Sequence, residues 1–160
     1  MPKRMTIGNP NSPHAHACGR EEEASRLEPD FLSHGVPSTL WGTETVLVVN
    51  NSAAERAVLM ALFEQLGYRA LEASSAAEAK CLARAGIKIH LLFLDQTVPE
   101  AYDLALARWF RLKDPECKTL VAASSLWELN YPATDGESYG FLLKPFTPME
   151  LAWMARRVLG

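Results

Sequence analysis

Residues 45–159 alternate between short apolar runs and stretches with helical spacing. The first run, TVLVV at 45–49, is continuously apolar after its threonine, as a parallel strand covered on both faces should be. Ser52-Ala53-Ala54-Glu55 then has the form of a capping box, with the serine oxygen accepting from a first-turn amide and the glutamate reaching back. Val58, Leu59, Leu62, Phe63 and Leu66 follow at helical spacing, and Gly67 supplies a stop. Arg69–Ala73 predicts a second, shorter strand. Ser75-Ala76-Ala77-Glu78 is a second capping box, opening an alanine-rich helix that ends near Gly86. Ile89–Leu94 predicts a buried third strand running straight into Asp95, and Pro99 marks a loop. Leu104–Leu112 reads as a helix with Leu106, Trp109 and Phe110 as packing residues. Thr119–Ala123 predicts a fourth strand ending at Ser124-Ser125, and Gly140–Leu143 a fifth ending at Lys144. Thr147-Pro148-Met149-Glu150 combines an N-cap, a proline at N1 and an acid at N3. The helix it opens carries Leu151, Met154, Ala155, Val158 and Leu159. The pattern is weakest between Ser125 and Tyr139, where a short helix at Trp127–Leu129 is limited by Pro132 and Gly136.

Strand and helix thus repeat five times with short connections. This favours right-handed crossovers and a three-layer α/β sandwich, a five-stranded parallel sheet flanked by helices. The domain is expected over 43–160. Residues 1–42 read as an arm with too few spaced apolar residues to offset its ordering entropy, although Phe31, Leu32, Leu40 and Trp41 offer packing groups. The arm contains HAHAC, with His14, His16 and Cys18, but no fourth soft ligand to complete a metal site.

Composition narrows the function classes. A formal net charge of -3, with basic and acidic residues interspersed, gives no field for a nucleic-acid backbone. No segment is long and apolar enough to span a bilayer, and the N-terminus lacks a signal-peptide core, so the expected location is the cytoplasm, away from membranes. The cysteines, Cys18, Cys81 and Cys117, are widely spaced and contain no CxxC, which predicts reduced thiols. The first strand exits into NNSAAE instead of a glycine-rich phosphate loop. GxSxG is absent and His90 begins a strand, so hydrolase chemistry and independent enzyme activity are not expected.

Ligands of open α/β sheets sit beyond the carboxyl ends of the strands. Here those ends carry Asn50 and Asn51, Asp95, Ser124 and Lys144. A carboxylate, a hydroxyl and an ammonium on one rim suit phosphoryl transfer to Asp95. Lys144 would neutralise one oxygen of the transferring group, and the Ser124 hydroxyl would donate to another. The missing part is a divalent cation, which normally takes more than one carboxylate.

The sequence resembles the receiver domain of two-component response regulators. VLVVNN stands where such domains usually read VLVVDD, followed by LLFLDQTVP around Asp95, Ser124-Ser125, and LLKPF ending at Phe146. The GTETVLVVNN entry also resembles the receiver attached to hybrid sensor kinases. The resemblance implies a flavodoxin-like fold with strand order 2-1-3-4-5. Asp95 would be the phosphoacceptor, and Lys144 its ion-pairing lysine, with a cis peptide before Pro145. Ser124 and Phe141 would be switch residues. Asn50, Asn51, Asp95 and the Thr97 backbone carbonyl would surround magnesium. The implied partner is a histidine kinase or histidine phosphotransfer protein. Output would pass through the last strand and helix, a surface also open to homodimer formation. Trp127, Tyr131, Tyr139 and Trp153 are either packing residues or part of such a patch.

Three departures stand out. Tyr102-Asp103 replaces the usual aspartate-glycine, His90 replaces a common acid, and both members of the acidic pair are amides. An amide oxygen still coordinates but brings no charge. Magnesium affinity is therefore expected to fall by about tenfold to a hundredfold. The expectation is an atypical receiver that acts mainly as an interaction module, with weak or absent magnesium-dependent phosphorylation. Two alternatives are a working phosphoacceptor at Asp95, and a receiver-like fold reused for phosphorylation-independent binding.

Overall fold

The computed structural model describes residues 35–101, 104–125 and 139–160. The elements among them are β1 (Thr45–Val49), α1 (Ala53–Gln65), β2 (Arg69–Ala73), α2 (Ala76–Arg84) and β3 (Leu91–Asp95). They continue with α3 (Ala105–Lys113), β4 (Lys118–Ala123), β5 (Tyr139–Leu143) and α4 (Pro148–Leu159). All strand pairings are parallel, in the order β2-β1-β3-β4-β5. This is the flavodoxin-like receiver arrangement expected. Asp95 belongs to β3 itself, while Ile89 and His90 precede it.

Strand parity sorts the core into two halves. Val46 and Val48, Leu91 and Phe93, Leu120 and Ala122, and Leu142 face α1 and α4. Leu47 and Val49, Leu92 and Leu94, and Val121 and Ala123 face α2 and α3. Because side chains alternate with period two, the next residue on the first face is Asn50 after β1, Asp95 at the end of β3, Ser124 after β4 and Lys144 after β5. One face of the sheet therefore carries the polar strand-end residues towards the N-terminus of α1.

Glycine is required at two packing points. Gly67 ends α1 in the left-handed region at φ +92°, which glycine adopts without a Cβ penalty. At Gly140 a Cβ would collide with Val158 of α4, so the close approach of α4 to β5 depends on its absence. Leu104, ahead of α3, is buried at φ 59° and ψ 21° without glycine. That conformation costs roughly 1–2 kcal/mol for an L-residue.

The three capping boxes differ. At α4 both halves form: Thr147 Oγ1 accepts from Glu150 N, and Glu150 accepts from Thr147 N. At α1 and α2 the serine half forms, but the glutamates go elsewhere: Glu55 to Asn50 and Lys144, and Glu78 to Ser74. Val36 is buried, and Leu40 packs against the core beside α4. Val58, expected to pack, is 55% exposed, and Trp109 is half-buried. Cys81 and Cys117 are free; burial pushes the Cys117 thiol up to about 12, which keeps it protonated and unreactive. His14, His16, Cys18, Phe31, Leu32, Tyr102, Asp103, Trp127 and Tyr131 lie outside the described residues.

Candidate functional site

Asp95 is fully buried where β3 leaves the core. Its Oδ1 accepts from the Thr97 amide at 3.0 Å, a turn that fixes the carboxylate plane. Its Oδ2 lies 2.5 Å from Lys144 Nζ. This is an ion pair off hydrogen-bond alignment, and Oδ2 has no hydrogen-bond donor among the described residues. Lys144 comes from the end of β5, immediately before the expected cis peptide to Pro145. Its ammonium also contacts Glu55 Oε2 at 3.3 Å. Burial opposes the charge on Lys144, yet the adjacent carboxylates of Asp95, then Glu55, hold its pKa above the usual lysine value.

The amides are committed to specific partners. Asn50 is fully buried; its Oδ1 accepts from Ser52 N at 2.7 Å and its Nδ2 donates to Glu55 Oε2 at 3.1 Å. The bond from Asn50 is the main reason the Glu55 carboxyl titrates below its ordinary value, against partial burial and with help from Lys144. Asn51 Nδ2 donates to the Thr97 carbonyl at 3.1 Å, and the Asn51 backbone amide reaches Thr97 Oγ1 at 3.4 Å. With no cation between them, rotating the Asn51 amide would set two acceptor oxygens against each other, which favours the donor orientation. Arg56 ties down the Asn50 carbonyl at 2.8 Å and Glu72 at 3.1 Å.

Ser124 stands slightly apart. Its backbone amide donates to Gln96 Oε1 at 2.8 Å, and its hydroxyl accepts from Gln96 Nε2 at 2.9 Å. Gln96 is in turn held by its amide on the Ala122 carbonyl. Phe141 is half-buried on β5, against the core half that faces α2 and α3.

The arrangement bears directly on a hard dication, which requires a shell of free oxygens. Asn50 Oδ1 and the Thr97 carbonyl already accept bonds, and one Asp95 oxygen is held by an ammonium. No cluster of three or more His, Cys, Asp or Glu placed to hold a metal occurs among the described residues. Of the Asn50, Thr97 and Asp95 oxygens, those of Asp95 are the charged ones, while Asn50 and Thr97 offer neutral oxygens.

Asn50, Asn51, Asp95, Thr97 and Lys144 are thus brought together, with Ser124 at their edge through Gln96. Glu55, Arg56 and Gln96 were not anticipated as site residues. Glu55 was legible in part, since its place in the first turn of α1 sets it beside the polar ends of the strands. Beside Lys144 an apolar cleft of about 560 Å³ opens between α1 and the start of α4, lined by Val58, Leu59, Leu62, Pro145 and Phe146.

No family model matches the chain. The chain is 30% identical over 124 residues to the sensor kinase CckA of Brucella abortus (strain 2308). That match takes in 75% of this chain and 13% of the kinase, so the chain spans a small part of that relative. The solved chemotaxis response regulator CheY4 of Vibrio cholerae superposes with a TM-score of 0.60 at 22% identity, covering 74% of this chain and 100% of the other. A response regulator receiver domain from Clostridium thermocellum superposes with a TM-score of 0.63 at 19% identity, covering 72% and 94%. The fold is that of solved response-regulator receiver domains. No helix among the described residues is long and apolar enough to cross a membrane.

Proposed function

We propose, from the receiver-domain fold and the committed amides of its site, that this chain is an atypical receiver module of two-component signalling. It works mainly by protein contact, and magnesium-dependent phosphorylation of Asp95 is weak or absent. Its partner is a histidine kinase or a histidine phosphotransfer protein, a reading supported by the similarity to a sensor kinase. The observation that carries this reading is the Asn51 Nδ2 bond to the Thr97 carbonyl at 3.1 Å. It puts a donor where cation binding needs an acceptor, and the neighbouring Asn50 brings no charge. Contact surfaces remain available: Leu143 at the end of β5 is 53% exposed and Trp153 on α4 is 50% exposed. These support docking through the last strand and helix, either to a partner or to a second copy.

A second reading, a working phosphoacceptor, draws on one observation. The buried Asp95 keeps its lysine at 2.5 Å, and the oxygen facing that ammonium has no hydrogen-bond donor among the described residues. In that reaction an Asp95 carboxylate oxygen bonds to phosphorus as the phosphohistidine P–N bond breaks (the P–O bond when acetyl phosphate is the donor), the leaving group keeps the electron pair, and Lys144 faces the charge on the transferred group. Incubation with acetyl phosphate and magnesium, followed by intact-mass measurement, separates the two. A small labelled fraction that disappears in Asp95→Asn is the expected result, whereas stoichiometric labelling would establish the second reading.

A further inference from the structure

Glu55 is the second anion on Lys144, and neither the acceptor chemistry nor the cation shell calls for it. We propose that Glu55 is a resident competitor, a built-in carboxylate that must leave Lys144 before a phosphate-like oxyanion can use the ammonium. The inference rests on reading this rim as the receiver site, and it determines which anions that site admits.

The geometry is specific. One oxygen, Glu55 Oε2, takes both the Lys144 ammonium at 3.3 Å and the Asn50 amide at 3.1 Å. An ammonium and a side-chain N–H on one rim are the groups that would grip an incoming oxyanion. Both are spent on the protein's own carboxylate. The carboxylate is also held in place from below. Ser52 Oγ accepts from Glu55 N, and Asn50 Oδ1 accepts from Ser52 N, so the first turn of α1 is fixed against the end of β1. Arg56, the nearest alternative cation along the chain, is engaged by Glu72 and the Asn50 carbonyl, which leaves Lys144 as the cation on Glu55.

Charge points the same way. Asp95, Glu55 and Lys144 together carry one net negative charge, which repels any anion approaching the ammonium. Glutamine at position 55 would leave the trio neutral. The Glu55 side chain is 53% exposed, so it can swing into water at little desolvation cost. That makes it a displaceable occupant and not a permanent plug.

The test uses the full chain in EDTA, with inorganic phosphate titrated and the Lys144 and Ser124 backbone amides followed by NMR. Glu55→Gln is expected to bind phosphate at least about fivefold more tightly than the parent, with the gain shrinking as salt rises. Glu55→Ala, which also removes the charge, is expected to gain similarly. Both variants keep the backbone amide that caps α1, and a urea melt confirms folding. Equal or weaker phosphate affinity in Glu55→Gln overturns the proposal, as does a gain confined to one variant or independent of salt. The comparison contains no metal and no phosphodonor. The acetyl phosphate experiment can therefore fail the receiver reading without deciding this one, and the reverse holds.

Discussion

Glu44 with Arg156 at the entry end of the sheet, and Asp95 with Lys144 at its exit end, are carboxylate–cation pairs of nearly equal closest approach, 2.6 and 2.5 Å. Their surroundings differ. Arg156 grips Glu44 with both Nη atoms; Nη2 also donates to the Gly160 carbonyl, and Nη1 lies within 3.5 Å of the Trp41 carbonyl and the Tyr68 hydroxyl. Glu44 also takes the Thr43 amide. That fork ties the start of the domain to the last helix and bonds both Glu44 carboxylate oxygens. Asp95 is more deeply buried yet less satisfied: one oxygen has a backbone amide, and the other has only an ammonium that it shares with Glu55. The saturated pair is a staple. The under-satisfied pair can exchange partners, as a site must.

The sharpest way to break this comparison is Lys144→Met. Removing one partner of a buried pair strands the other charge, and such losses run to about 3–5 kcal/mol. A loss of about 3 kcal/mol in urea unfolding at neutral pH is expected, with most of it recovered by adding Asp95→Asn. A loss no larger than that of an exposed pair would mean that Asp95 does not depend on Lys144. The next effect comes from Asn50→Asp with Asn51→Asp. It replaces two N–H donors by carboxylates facing the Glu55 carboxylate and the Thr97 carbonyl. In EDTA the double variant should be about 2 kcal/mol less stable than the parent. Added magnesium should restore part of the loss, binding about tenfold to a hundredfold more tightly than to the parent. A variant at least as stable as the parent without metal would contradict this.

Fold and site were not equally legible in the sequence. The apolar stretches read within 45–49, 89–94 and 119–123 announce buried parallel strands, because runs this short and this apolar suit strands covered on both faces. The N-caps of α1, α2 and α4 were also readable, since Ser52, Ser75 and Thr147 bond to amides three residues on. The destination of the Glu55 and Glu78 carboxylates was not. A capping box and a long-range ion pair share one local sequence, and only tertiary placement decides between them. In Glu55 the competing donors were Lys144, 89 residues away, and the buried Asn50. The identity of Asn50 and Asn51 signalled a loss of charge. That their amides point inward as donors depended on which oxygens stood opposite. Gln96 gave no signal because its partner, Ser124, reaches it through the register of β3 with β4.

The smallest expected effect sharpens the other half of the comparison. Bonding from Arg156, against some burial and with help from local amides, lowers the Glu44 carboxyl from 4.5 to about 2. The unfolded chain then holds that proton more readily than the folded one. Glu44 therefore contributes its full stability above about pH 4.5 and loses it as the pH falls towards about 2. Glu44→Gln keeps the shape but removes the charge, and should cost about 1 kcal/mol at pH 7 in urea melts. Acid weakens both proteins, because Glu55, Glu78 and Asp114 also titrate below their ordinary values. Those groups are common to parent and variant, so the difference between the two melts isolates Glu44. It should hold steady down to about pH 4.5 and close progressively below it. A difference that stayed constant through that window would show that the fork works through shape and neutral hydrogen bonds. The entry pair would then be no more electrostatic than any polar contact, and the contrast with the exit pair would rest on Lys144 alone.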